Sequence, residues 1–150
     1  MVAKAAEKGD LAMVKLLHAQ GATLNASSRG QKTPLERALD SGHLQVAKYL
    51  VQNQAKIDDQ TIRNYVVKNN ADLDTIYLLV ENGPTINPTG YRWSNLRLIA
   101  TRFNESPNQC KKIIQLLIQK GDRPGEDDQN LPISVDAEKY IDTELAKVRA

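Results

Sequence analysis

The sequence predicts an all-α fold in which helix-turn-helix units stack along the chain. Residues 9–17 align with residues 42–50 at an offset of 33 residues. Within the first of these segments the apolar side chains of Leu11, Val14 and Leu17 recur at helical spacing. Self-similarity at a fixed period of this length indicates a repeat architecture, in which each unit buries its apolar face against its neighbours.

The second unit shows the complete pattern of turn, helix, turn and helix. Thr33 can cap a helix whose first turn accepts Pro34, since that position donates no hydrogen bond within the helix. The apolar residues among 35–39 give this short helix one apolar face, and Ser41-Gly42 ends it. A second, longer helix then follows.

Two further copies of the long helix are predicted at residues 73–83 and 113–121, each an amphipathic segment that ends in glycine. Before the first of them, the buried face of a short helix is predicted from three residues, Ile62, Tyr65 and Val66. Residues 103–108 are rich in polar and turn-forming residues, which predicts an enlarged loop between two helices. Residues 135–148 are predicted to form a closing helix.

The quoted motifs resemble the ankyrin repeat, whose consensus contains Thr-Pro-Leu-His-x-Ala, Gly-His and Gly-Ala-Asp-Val-Asn. The matching segments are Thr33-Pro34-Leu35-Glu36-Arg37-Ala38, Ser41-Gly42-His43 and Leu24-Asn25-Ala26. The resemblance covers nearly the whole chain and is closer in the first two units than in the later ones. It implies one solenoid domain over residues 1–150, with units at 1–26, 27–59, 60–88 and 89–126 and a capping remnant at 127–150.

Composition argues against several classes of partner. A net charge of +2 with no long run of one sign predicts no nucleic-acid binding. No stretch of the chain is long and apolar enough to predict a membrane span, and the N-terminus lacks the apolar centre of a signal peptide. A single cysteine, Cys110, predicts a reducing compartment, so we expect a cytoplasmic protein. We also expect the chain to be monomeric when alone.

The residues that usually carry chemistry are scarce. The chain has no nucleophile elbow, no phosphate-binding loop and no His-Glu-x-x-His segment, so we expect no catalytic residue, metal or cofactor. Structural roles are favoured for His18 and His43. Cys110 is interpreted as a half-buried apolar filler rather than a reactive thiol, and Asp127-Asp128 as a solvated turn rather than a cation site.

Binding residues are predicted from the resemblance, because ankyrin repeats contact partners mostly through the turn tips and the ends of the short helices, which line a concave face. In the second unit these positions are Arg29, Gln31, Lys32, Asp40 and Ser41. In the fourth unit they are Tyr91, Arg92, Trp93 and Arg102.

Trp93 is the only tryptophan of the chain and follows Tyr91 and Arg92 directly. Tryptophan, tyrosine and arginine are enriched at the energetic centres of protein interfaces, which favours a binding role. The alternative is that Trp93 packs onto the preceding unit and replaces apolar contact that the irregular third unit lacks.

The predicted function is therefore non-enzymatic recognition of another protein, as in a scaffold or a secreted bacterial effector acting in the host cytoplasm. Two alternatives stay open. The chain could be the regulatory or targeting segment of a larger multidomain enzyme. It could also be a substrate, since Leu24-Asn25-Ala26 resembles the segment that asparaginyl hydroxylases modify in ankyrin repeats.

Overall fold

A computed structural model describes residues 1–27, 29–68, 70–86, 93–125 and 127–149. Within these ranges the regular secondary structure is helical and no strand is present. The chain divides into two compact units, residues 1–57 (unit 1) and residues 58–150 (unit 2). The predicted boundaries of the individual repeats stay predictions.

Unit 1 contains two helix pairs that pack side by side. The helices are α1 (Val2–Lys8), α2 (Leu11–Ala19), α3 (Pro34–Asp40) and α4 (Leu44–Gln52). Helix α1 packs against α3 and α2 against α4, so that equivalent helices are neighbours. The core between them is apolar and includes Val14, Leu35, Val46 and Leu50, all of them almost completely inaccessible to solvent.

Two helices of unit 1, α2 and α3, begin at side-chain caps. The Asp10 side chain accepts a hydrogen bond from the Met13 N–H at 3.0 Å and starts α2. Thr33 and Glu36 form a reciprocal capping box at the start of α3, and Pro34 occupies its first turn. The cap at Thr33 and the position of Pro34 are as the sequence predicted, whereas the part of Glu36 in the capping box was not predicted.

Several contacts join the two helix pairs of unit 1. The His43 ring lies against Gly9, so closely that a Cβ atom on Gly9 would be 2.5 Å from His43 Nδ1. His18 Nδ1 and the Tyr49 hydroxyl are 2.7 Å apart. Asn25 Oδ1 accepts a hydrogen bond from the Lys56 N–H at 2.6 Å. Both histidines thus have the structural roles that the sequence favoured.

Unit 2 contains two further helix pairs and a closing helix. They are α5 (Asp59–Val66), α6 (Leu73–Asn82), α7 (Asn95–Ala100), α8 (Pro107–Gln119) and α9 (Val135–Arg149), with a short 3-10 helix at Asp128–Asn130. Ile62, Tyr65 and Val66 are buried, as predicted for the short helix of this pair. Helix α9 is the predicted C-terminal helix, and it buries Ala137, Ile141 and Leu145.

Two sequence interpretations in unit 2 are wrong. Asp128 is buried rather than solvated, because its carboxylate accepts hydrogen bonds from the Ser94 N–H at 2.7 Å and from the Ser94 hydroxyl at 2.5 Å. Cys110 is completely buried rather than half-buried, and its thiol contacts the Arg102 carbonyl at 3.4 Å. The segment between α7 and α8 is a loop as predicted, but Phe103 within it is buried.

Candidate functional site

Unit 1 carries a surface groove of about 420 Å³ on the side of its short helices. The groove is lined by Glu7, Gly30, Gln31, Lys32, Arg37, Asp40 and Ser41. Glu7 is in the last turn of α1, residues 30–32 precede α3, and the remaining residues belong to α3 or follow it directly. The capping box fixes the point at which the loop becomes helix, and it therefore sets the position of Lys32 relative to the end of α3.

Two ion pairs cross the groove. Lys32 Nζ contacts the Asp40 carboxylate, which joins the loop before α3 to the last residue of that helix. The hydrogen bond to Asp40 and the charge of its carboxylate raise the pKa of Lys32. The Arg37 guanidinium contacts the Glu7 carboxylate at 2.8 Å and thus joins α3 to α1.

Arg37 also contacts the loop, because its Nε donates a hydrogen bond to the Lys32 carbonyl at 3.4 Å. One side chain therefore links the loop, α3 and α1.

The structure brings together four of the five binding residues predicted for the second repeat, residues 27–59, which lies in unit 1. Gln31, Lys32, Asp40 and Ser41 all line the groove. Arg29 is exposed beside it, next to Gly30 in the sequence. Their role in binding stays a prediction.

Sequence reasoning missed Glu7, Gly30 and Arg37. The repeat offset could have found Glu7, because Glu7 and Asp40 are 33 residues apart and occupy equivalent positions in the two helix pairs. No comparable signal marks Arg37, whose contact with Glu7 depends on the packing of α1 against α3.

The binding residues predicted for the fourth repeat, residues 89–126, do not line the groove of unit 1. Tyr91 and Arg92 lie outside the described residues. Trp93 is half-buried and its indole Nε1 atom is inaccessible to solvent. The Arg102 guanidinium contacts the Glu105 carboxylate at 3.0 Å and donates a hydrogen bond to the Ala71 carbonyl, so its polar atoms are engaged within unit 2.

The described residues offer few groups for chemistry. Burial raises the pKa of the Cys110 thiol, which disfavours the reactive thiolate. Among the side chains that the structure describes, no group of three histidine, cysteine, aspartate or glutamate residues is placed to hold a metal ion. No helix in the described ranges is long and apolar enough to cross a membrane.

Stacked pairs of short and long helices, joined by glycine turns at a 33-residue offset, define a helical-repeat protein. A family model described as ankyrin repeats (3 copies) matches residues 1–61. A fowlpox virus (strain NVSL) protein named as an ankyrin repeat protein, FPV244, is 32% identical over 83 residues. Both matches support the predicted ankyrin-repeat family, which the family model covers over residues 1–61, and the predicted all-α fold class is confirmed for the described residues.

The aligned region is 55% of this chain and 12% of the fowlpox virus protein, so the chain spans only a small part of that relative. Ankyrin repeats are generally protein–protein interaction modules, and members of the family are typically not enzymes.

Proposed function

We propose that this chain recognises another protein, without catalysis, through the groove of unit 1. The observation that carries the proposal is the convergence of Gln31, Lys32, Asp40 and Ser41 in one groove. The resemblance to ankyrin repeats predicts these same four residues as partner contacts. Recognition of this kind is the activity expected of a scaffold or an effector.

The shape and chemistry of the groove support this proposal. Its walls come from two neighbouring helix pairs, and its rim carries exposed polar and charged groups. Polar, partly solvated rims are typical of interfaces that form between proteins folded independently. The two ion pairs fix the walls, so a partner would meet a surface that is already organised.

Affinity capture with a groove-blocking variant tests the proposal. Ser41→Trp places a large side chain at an exposed position of the groove rim, and we expect it to exclude the partner. Gln45→Trp is the matched control, since Gln45 is exposed on α4 and does not line the groove.

The expected result is a partner that the wild-type chain and Gln45→Trp retain and Ser41→Trp loses, with equal melting temperatures for all three. If every captured protein is retained equally by both variants, recognition does not use this groove and the proposal is wrong.

A further inference from the structure

We infer that the partner segment in the groove of unit 1 is acidic. This inference rests on the proposed function and adds the chemistry of the partner. Unit 1 contains eight lysine and arginine residues against four aspartate and glutamate residues, a formal charge of +4. Unit 2 contains twelve basic and fourteen acidic residues, a formal charge of −2. The excess of positive charge is therefore confined to the unit that carries the groove.

All four carboxylates of unit 1 are engaged in contacts within the unit. Glu7 pairs with Arg37 and Asp40 with Lys32. The other two cap helices: Asp10 accepts a hydrogen bond from the Met13 N–H, and Glu36 accepts one from the Thr33 N–H at 2.9 Å. Glu7 and Asp40 are thus already paired with basic side chains, so an incoming cationic segment would have to displace Arg37 or Lys32 to reach them.

Basic side chains, in contrast, are exposed around the groove. The repeat offset makes Lys4 equivalent to Arg37 and Lys8 equivalent to Ser41, and both of these equivalents line the groove. Because α1 packs against α3, Lys4 and Lys8 extend the same side of the short helices by one repeat. Both lysines are exposed.

Arg29 adds another exposed basic side chain in the loop before α3, whereas Lys32 in the same loop is paired with Asp40. The groove is thus bordered by positive charge on the side of α1 and on the side of the loop. Complementary charge across an interface accelerates association and suppresses partners of the wrong sign. An acidic peptide segment fits this surface.

Peptide binding to charge-reversal variants of the whole chain tests the inference. The probes are a short fluorescent peptide of alternating glutamate and serine, its lysine–serine counterpart, and a single-stranded DNA oligonucleotide of the same charge as the acidic peptide. Lys4→Glu combined with Arg29→Glu reverses two charges beside the groove. Lys15→Glu combined with Lys48→Glu makes the same change in net charge on α2 and α4, where both lysines are exposed.

At low ionic strength we expect the acidic peptide to bind the wild-type chain, and the groove variant to weaken binding about tenfold, while the α2–α4 variant changes it little. Added salt should weaken the interaction, because charges at an exposed rim are screened. Circular dichroism verifies folding, and Lys4→Gln with Arg29→Gln repeats the test with a smaller perturbation.

Equal losses in the two reversal variants would mean that only net charge matters, which overturns the inference. Tighter binding of the DNA or of the lysine peptide would overturn it as well. If no peptide binds, the acidic chemistry is wrong, but the capture experiment with Ser41→Trp still decides whether the groove recognises a protein.

Discussion

The buried residues of unit 1 are apolar among its described positions, whereas unit 2 buries nine polar or charged residues among its described positions. Several of them bond to backbone groups far away in the sequence. Asp122 accepts a hydrogen bond from the Leu96 N–H at 2.9 Å, and the Arg97 Nε donates one to the Leu131 carbonyl at 2.7 Å. In unit 1 the polar contacts that define the structure, such as the caps of α2 and α3, lie nearer the surface.

This difference follows the regularity of the sequence. Unit 1 keeps the 33-residue offset, so its helices meet through equivalent apolar positions. In unit 2 the predicted repeats depart from that length, and the packing of helices leaves backbone groups that need specific partners. Buried backbone groups are costly when unsatisfied, and the buried aspartate and arginine side chains supply the missing bonds. In unit 2, hydrogen bonds between residues distant in the sequence thus accompany the irregular predicted repeats.

The largest expected effect tests the apolar core of unit 1. Leu50 is completely buried, so Leu50→Ala should lower the free energy of unfolding by about 2–5 kcal/mol. Leu16 is 51% exposed on α2, and Leu16→Ala is the control that should cost about 0.5 kcal/mol or less. Urea denaturation of both variants measures the difference. Similar losses would mean that unit 1 has no dominant apolar core.

The second prediction concerns a buried carboxyl in unit 2. Burial raises the pKa of Asp122 to about 7, with a further contribution from the negative charge of Asp128. The N–H groups of Leu96 and Arg123 and the charge of Arg63 act in the opposite direction without offsetting the burial. The folded state thus holds the Asp122 proton more tightly than the unfolded state, whose carboxyl has an ordinary pKa.

The sign of the pH dependence follows from that difference. The stabilising contribution of Asp122 is present in acid and is lost as the pH rises towards 7, by about 2–3 kcal/mol between pH 5 and 8. Asp122→Asn has no proton to release there, while its carboxamide oxygen can still accept from Leu96. Urea midpoints at several pH values should therefore fall more with rising pH in the wild type than in Asp122→Asn. Parallel pH profiles would contradict the prediction.

A third prediction compares two adjacent aspartates. Asp128→Ala removes the acceptor for the buried Ser94 N–H and hydroxyl groups, and it should cost about 1–3 kcal/mol. Asp127 is exposed, so Asp127→Ala should change the free energy of unfolding by less than about 0.5 kcal/mol. Thermal unfolding distinguishes the two variants. If they lose equal stability, the polar contacts of unit 2 do not replace the regular packing.

These residues also mark the limit of prediction from sequence. The sequence predicted the helix pairs and the cap at Thr33, because turn residues and apolar spacing act over short distances. The resemblance to ankyrin repeats predicted four of the residues that line the groove in unit 1. It did not predict the burial of Asp128 or the contact of Arg37 with Glu7. The contacts of Asp128 with Ser94 and of Arg37 with Glu7 each join residues at least 30 positions apart. Both contacts depend on how helices pack, which no local pattern encodes.

The smallest effect concerns two glycines at equivalent turns of unit 1. Gly9 and Gly42 both adopt left-handed backbone conformations, with φ of 73° and 76°. Either change to alanine should therefore cost about 1–2 kcal/mol of backbone strain. Gly9 has an additional constraint, since its Cβ atom would meet the His43 ring, whereas a Cβ atom on Gly42 would meet nothing within 4 Å.

A double-mutant cycle isolates that additional constraint. Gly9→Ala should cost more than Gly42→Ala by about 1 kcal/mol, because the His43 ring must move away from its position between the two helix pairs. In a His43→Ala background the ring is absent, so Gly9→Ala should cost only the backbone strain and match Gly42→Ala. The measurement is the free energy of unfolding of the four combinations of Gly9→Ala and His43→Ala, with Gly42→Ala as reference. A coupling energy near zero would mean that the His43 ring adapts freely and places no further constraint on Gly9 beyond the backbone strain.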